Sequence, residues 1–393
     1  MGHHRREFLL SKLPKWSGTT DPAFVSPETN AVYFKSIPLE VKLKKQGPRI
    51  LTGHRPTGPR HLGHLVGTLQ NWVKLQVTHQ CFFLVADLHV LTTDFEHTAS
   101  IRQNTLEMAY DWLAAGIDPQ RSTLILQSAV PEHALLCILL GMLVTASRLE
   151  RVPTYKEQAR ELNLNPSLGL MAYPVLQAAD ILIYRANAVP VGEDQLPHLE
   201  VTRELARRFN QLYGNTFPEP EALLSAYPRL PGTDNRTMHT SYGNAIYLGD
   251  TPEETTRKVM HMYTDPSRIH ANDPGHIENN PVFTYLDIFD TNAAEVSNLK
   301  DLYQAGNVGD VEIKRHLARI LNEALALHRQ RRGDLSAHPQ NVLEILEAGS
   351  HKARVIARQT IESVMEKMGL KAGISLSETF AMAQHTAING PAC

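Results

Sequence analysis

Residues 52–64 read TGHRPTGPRHLGH, with His61 and His64 one helical turn apart at the end of a loop rich in Gly and Pro. Gly53 and Gly58 permit tight turns, and Gly63 removes a side chain where a helix begins, so a ligand can approach the backbone there. The N–H groups of a helix start attract phosphate. Two imidazoles aimed at the same spot would donate hydrogen bonds where charge grows on a phosphoryl group. The spacing also fits two solvent-facing loop histidines. Neither GxGxxG nor GxxxxGK[ST] occurs in the chain, which weighs against a dinucleotide-binding dehydrogenase and a P-loop NTPase.

A second stretch, AYPVLQAADILIYRANAVPVGEDQ, spans residues 172–195. Pro174 predicts a helix start, which puts Tyr173, Gln177 and Asp180 on one face at i, i+4 and i+7. Asp180 lies within the apolar run AADILI, where an unpaired carboxylate is costly. Its donor is either a backbone N–H or arginine of the protein, or an N–H of a ligand. VPVGEDQ reads as a strand, a Gly turn and a helix start. Asp194 there is either the helix N-cap or a second ligand contact.

These motifs need elements to position them. PRILTG, CFFLVADLHVL and STLILQSA read as strands, and HLGHLVGTLQNWVKLQ, TASIRQNTLEMAYDWLAAG and the segment from PEHALL read as helices. That alternation predicts an α/β fold with a parallel sheet covered on both faces and ligands beyond the carboxyl ends of the strands. After about residue 282 the pattern is wholly helical, with Gly306, Gly333, Gly349 and Gly369 as punctuation. Basic residues among these helices (Lys314, Arg315, Arg319, Arg329, Arg331, Arg332, Lys352, Arg354 and Arg358) could track a phosphate backbone or form a solvated face.

The chain has 393 residues, 42% of them hydrophobic, and a formal charge of -2, which excludes a uniformly basic nucleic-acid coat. Its three cysteines, Cys81, Cys137 and Cys393, are far apart, so a disulfide framework or paired-cysteine zinc site is not indicated and a reducing, cytoplasmic setting fits. The longest apolar runs are too short to span a bilayer. Residues 1–47 read as an accessory arm or leader in preference to a transit peptide.

HLGH resembles the first signature of class I aminoacyl-tRNA synthetases. RPTGPRHLGHLVGTLQNWVKLQ, VADLHVLTT, RLERVPTYKEQ, YPVLQAADILIY, VPVGEDQLPHLEVTRELARRFN and NPVFTYLDIF resemble, in order, the bacterial tryptophanyl-tRNA synthetase family over roughly residues 48–370. The resemblance implies a Rossmann-like catalytic domain followed by an all-helical domain that reads the anticodon, usually in a homodimer. The domains expected are an N-terminal extension (1–47), the catalytic domain (48–245), the helical domain (246–370) and a tail (371–393).

The resemblance also implies roles. Asp180 accepts the indole N–H of L-tryptophan, and Tyr173, Gln177 and Gln195 surround its ammonium group. His61, Gly63 and His64, with Arg55 and Thr57 ahead of them, hold ATP, which comes with Mg²⁺. Gly192 and Asp194 hold the adenosine. Tryptophan would be activated as an adenylate and passed to tRNA(Trp).

The second signature of the class, KMSKS, aligns with Thr237, Met238, His239, Thr240 and Ser241, and both lysines are missing. In the family those lysines offset charge on the leaving pyrophosphate, and Met238, Thr240 and Ser241 would face the nucleotide. Three explanations follow. The loop backbone and hydroxyls, with Mg²⁺ and a borrowed cation such as Arg236 or Arg55, still support activation; the adenylate goes to an acceptor other than tRNA; or the chain only binds tryptophan or nucleotide. The intact first signature and pocket favour the first.

Overall fold

The computed structural model describes residues 47–153, 155–156, 167–224, 230–238, 242–270 and 272–370. The expectations for residues 1–46, for the tail and for His239, Thr240 and Ser241 lie outside the described residues. Among those described, one compact unit runs to Met262 and resumes at Leu325, and the other is Tyr263–Ala324.

The first unit is built on five parallel strands: β1 (Arg49–His54), β2 (Gln80–Val85), β3 (Thr123–Leu126), β4 (Ala188–Val191) and β5 (Glu221–Leu224). Their order is β3-β2-β1-β4-β5, and β1 pairs along its whole length with β2, Arg49 opposite Gln80 and His54 opposite Val85. Strand β2 is apolar and buried on both faces after its first residue, as a covered parallel sheet requires. The order reverses at β1, so TGHRPTG at the end of β1 and GEDQ at the end of β4 emerge side by side, where ligands of such sheets bind. The α/β Rossmann-like architecture expected from the sequence is the one observed.

The helices are α1 (Leu62–His64, a π turn Leu65–Leu69, then Gln70–Leu75), α2 (Asp87–Leu91), α3 (Ile101–Ala114), α4 (Glu132–Gly141), α5 (Ala146–Leu149), α6 (Leu168–Ile183), α7 (Leu196–Tyr213) and α8 (Pro252–Met260). They continue as α9 (Pro281–Phe289), α10 (Ala293–Gln304), α11 (Asp310–Ala337) and α12 (Pro339–Lys367). No helix among the described residues is long and apolar enough to cross a membrane.

Several sequence expectations change. CFFLVADLHVL is not one strand: Asp87 Oδ1 accepts the N–H groups of Leu88 at 3.1 Å and Ser128 at 2.9 Å. Those bonds turn the chain into α2, which carries His89. Helix α6 starts well before Pro174, because the Ser167 side chain accepts the Leu170 N–H at 3.1 Å as an N-cap. Gly333 and Gly349 lie inside α11 and α12, whereas Gly306 and Gly369, with φ of 74° and 77°, do follow helix ends.

Gly349 marks a close approach: a Cβ there would sit 2.0 Å from the Leu124 carbonyl oxygen. One residue on, Ser350 Oγ accepts the Leu126 N–H at 2.9 Å and donates to Leu346 O at 2.7 Å. Helix α12 therefore covers the open edge of β3, a common protection for an exposed strand, and belongs with the sheet rather than with a separate helical unit beginning at 246. It is fastened further by Glu132, which accepts from Arg354 and Arg358 at 3.0 Å each. Much of the expected basic face is likewise committed internally: Lys314 is buried and donates to Thr264, Arg329 donates to Thr255, and Arg332 binds Asp111 and Glu107.

Gly349→Ala should therefore destabilise the chain by about 2 kcal/mol through overpacking against rigid backbone. Chemical denaturation checks this; a loss no larger than that of an exposed helical Gly→Ala change would show that the approach can relax.

Candidate active site

Arg60, His61 and Leu62 are joined to the segment that follows the second-signature loop. The Leu62 N–H donates to Ile246 O at 3.0 Å, the Leu248 N–H donates to Arg60 O at 2.9 Å, and His61 bridges Tyr247. A Cβ on Gly63 would lie 3.0 Å from the His61 ring and 3.4 Å from Met238 Sδ, so Met238, from the loop, sits against the first signature. Thr240 and Ser241 lie outside the described residues.

The two histidines of this signature are arranged by their neighbours and are not loose in solvent. His61 is buried, its ring centroid is 3.8 Å from that of His64, and its backbone N–H donates to His64 Nδ1 at 3.2 Å. Its other ring nitrogen, Nε2, lies 3.4 Å from Arg60 Nη1, which can only donate. Behind it, Thr68 donates to His64 O at 2.7 Å and lies 3.1 Å from His54 Nε2, while His54 stacks on Trp72 with centroids 4.5 Å apart. Burial, then the nearby Arg60 charge, holds the His54 imidazole well below its ordinary pKa. Arg55 donates to Thr93 Oγ1, its Nε is buried with no hydrogen-bond partner among the described residues, and Thr57 is exposed with its N–H donating to Arg55 O at 2.9 Å.

Asp180, on α6, is 2% exposed. Oδ2 accepts from His89 Nε2 at 2.9 Å, Oδ1 from His133 Nδ1 at 2.6 Å, and the Gln127 amide donates to both, at 2.8 and 2.9 Å. The donors are thus two histidines and a glutamine, neither the backbone N–H nor the arginine considered from the sequence. Burial pushes the carboxyl pKa up, but His133 and then His89 outweigh it and hold the group at about 2. Because Asp180 is a carboxylate, both histidines donate to it. His133 Nε2 in turn hydrogen-bonds with the Tyr184 hydroxyl at 2.7 Å. Two further polar atoms, Nδ1 of the His89 that bonds Asp180 and Oε1 of Gln177 on the same helix, are buried without hydrogen-bond partners among the described residues. Buried acceptors of this kind call for donors, which an indole and an ammonium both carry.

Tyr173 packs edge-on against His89 and His198, with centroids 5.0 and 5.1 Å away. Burial raises its pKa, and the charges of Arg55, Asp180 and Asp194 all act on its hydroxyl. Those charges come from three motifs, the β1 loop, α6 and the GEDQ turn, so Tyr173 is where they meet. In that turn the Gln195 N–H donates to Gly192 O at 3.0 Å and Gln195 Nε2 donates to Asp194 Oδ2 at 3.0 Å. The N-cap of α7 is Gln195, so Asp194 is exposed and does not cap that helix. His89, Gln127 and His133 were not singled out from the sequence. The signal available was the buried-carboxylate argument itself, which demands donors without saying where they lie.

Among the described residues no carboxylate cage for a divalent ion lies here. Among the described residues the one group of three potential metal ligands within reach of each other is Asp290, Glu295 and His316, in the Tyr263–Ala324 unit. Around the first signature the side chains are N–H donors, which suit phosphate oxygens rather than Mg²⁺.

Residues 43–326 match the family described as tRNA synthetases class I (W and Y). A tryptophan–tRNA ligase of Treponema pallidum is 50% identical over 328 residues, covering 82% of this chain and 97% of the relative. One from Aquifex aeolicus is 42% identical, covering 82% of this chain and all of the relative. Among solved structures, tryptophanyl-tRNA synthetase from Campylobacter jejuni complexed with ADP and tryptophan superposes with a TM-score of 0.75 at 33% identity, covering 82% of this chain and 100% of that one.

The Asp180 geometry sets a pH dependence. Its folded pKa is depressed from 3.8 to about 2, so its contribution is present above pH 4 and lost as pH falls towards 2. The stability difference between wild type and Asp180→Asn should shrink by about 2 kcal/mol across that window. Denaturation at pH 5 and pH 2.5 measures it, and a constant difference would mean that the carboxylate is not held ionised.

Proposed function

This chain belongs to the class I tRNA synthetases (W and Y), and we propose from that premise that it is a tryptophan–tRNA ligase. A tryptophan carboxylate oxygen attacks the α-phosphorus of ATP, the bond to pyrophosphate breaks, and tryptophanyl adenylate forms. The terminal ribose hydroxyl of tRNA(Trp) then takes the tryptophanyl group and AMP leaves.

The observation that carries the specificity is the ionised, buried Asp180 carboxylate on the same helix as Tyr173 and Gln177. We assign it the indole N–H. Gln127 reaches both carboxylate oxygens, so it can retreat to one and leave the other for the ligand without losing its own bond. A site that must pair a polar group strongly rejects analogues lacking the complementary N–H. Tyr173, Gln177 and Gln195 take the ammonium, Gly192 and Asp194 the adenosine, and His61, Gly63, His64, Arg55 and Thr57 the nucleotide's phosphate side. Met238, Thr240 and Ser241 are assigned to the loop over the phosphates. Mg²⁺ enters with the phosphates, and no protein ligand is assigned to it. The compartment of tRNA charging, the cytoplasm, follows from this reading.

Pairing of two copies is assigned to α4, where Leu135, Ile138 and the adjoining Met142 form an exposed apolar stripe, with Met142 73% exposed. Ile138→Glu should turn a dimer into a monomer in sedimentation; an unchanged mass would remove α4 from the contact.

The function is tested by tryptophan-dependent ATP–pyrophosphate exchange, with and without tRNA(Trp). Exchange followed by tRNA charging is expected; exchange without charging would point to another acceptor, and tryptophan binding without exchange to a binding protein. His64→Ala should slow exchange about 100-fold with little change in tryptophan affinity. Asp180→Ala should lose discrimination against phenylalanine, and unchanged discrimination would take Asp180 out of the pocket.

A further inference from the structure

We propose that Arg60 supplies the positive charge that meets the nucleotide's phosphates in place of the two lysines missing from the second-signature loop. The inference rests on the ligase reading and deepens it. Arg60 immediately precedes His61 and is 3% exposed. Its guanidinium has no carboxylate ion pair among the described residues. Asp111 accepts its backbone N–H at 3.1 Å instead, and that carboxylate is matched to Arg332 at 2.8 Å, with His328 at 3.4 Å.

A buried guanidinium without a paired anion is costly. Nη2 donates to Gly58 O at 2.6 Å and Nη1 lies 3.4 Å from His64 Nε2, while Nε is buried without a hydrogen-bond partner among the described residues. A guanidinium can only donate, so Arg60 Nη1–H meets His64 Nε2 as a long bond to a neutral acceptor, and an anionic oxygen at the first signature would be a stronger acceptor for it. Burial also pushes the Arg60 pKa down to about 10, against the pull of Asp111, which leaves it charged at neutral pH and reflects the want of an anion.

The other cations considered for the task are placed differently. Arg236, in the loop itself, is tied to Asp234 by its Nε at 2.7 Å and Nη2 at 2.6 Å. Arg55 is engaged by Thr93 and faces Tyr173, the side assigned to the amino acid. Arg60 alone of the three adjoins His64 directly.

The test is a double-mutant cycle on the full chain. Arg60→Gln should lower kcat for tryptophan-dependent exchange by about 100- to 1000-fold, the range for loss of one preorganised contact, with KM for tryptophan nearly unchanged. Restoring lysines by Thr237→Lys with Thr240→Lys should recover at least ~10-fold in the Arg60→Gln background and change wild type much less, since the two cations act on one charge. Equal effects in both backgrounds, or a wild-type rate in Arg60→Gln, would overturn the proposal. A merely structural role, bracing the 55–58 turn through Gly58, would not be rescued by lysines in another segment of the chain.

Arg60→Met, which keeps the stem, replaces Arg60→Gln if the latter does not fold. Calorimetric binding of Mg²⁺–ATP separates this inference from the ligase reading. Weaker binding in the Arg60 variants, restored by the lysines, supports it even in a chain that shows no exchange; unchanged binding in such a chain overturns it.

Discussion

An ionised carboxylate cannot sit in an apolar helix face unless donors are brought to it, and that requirement at Asp180 organises the catalytic unit. Its neighbours on α6, Ala178, Ala179 and Ile181, are essentially fully buried. The donors come from α2, from the turn after β3 and from α4. One side chain thereby fixes three elements against a fourth, and removing it would leave several buried donors unpaired, a larger loss than any one of these hydrogen bonds. The Tyr184 hydroxyl extends the network through His133. The low pKa of Asp180 is a consequence of the same contacts.

The first signature, proposed above to meet the phosphates, is built on the opposite principle. Around the first signature there are donors and cations: His64, Arg55 and Arg60, with imidazole geometry set by the His61 N–H, Thr68 and the Trp72–His54 stack. The Asp180 carboxylate is thus saturated by donors from the protein, whereas the side proposed for the phosphates carries Arg60 with no carboxylate ion pair among the described residues. The parallel sheet explains why they adjoin, since β1 and β4 are neighbours at the point where the strand order reverses. On the role proposed for Arg60, a loop without its two lysines is tolerated because the cation resides in a buried framework residue.

Much of this was legible in the sequence. Gly and Pro placed the loops after β1 and β4, the i, i+4, i+7 spacing put Tyr173, Gln177 and Asp180 on one helix, and the strand–helix alternation indicated a parallel sheet. What escaped was set by tertiary contact. CFFLVADLHVL is apolar throughout, and periodicity alone does not separate a buried strand from a buried helix; the break comes from Asp87 capturing two N–H groups, one of them from Ser128, distant in the chain. Gly349 reads as punctuation but serves a close approach to Leu124. The short strand Glu221–Leu224 carries no alternating pattern, and it is a strand because β4 pairs with it. The donors of Asp180 lie about 50 to 90 residues away, beyond any local pattern.

The most direct test of the account is the indole N–H resonance of bound tryptophan labelled with ¹⁵N in the ring, recorded on wild type and on Asp180→Asn. A charge-assisted hydrogen bond to a buried carboxylate predicts a strongly downfield, exchange-protected proton in wild type that moves upfield in the variant. A bound resonance near its free position, or one that the substitution leaves in place, would contradict the claim that Asp180 both anchors the fold and reads the substrate.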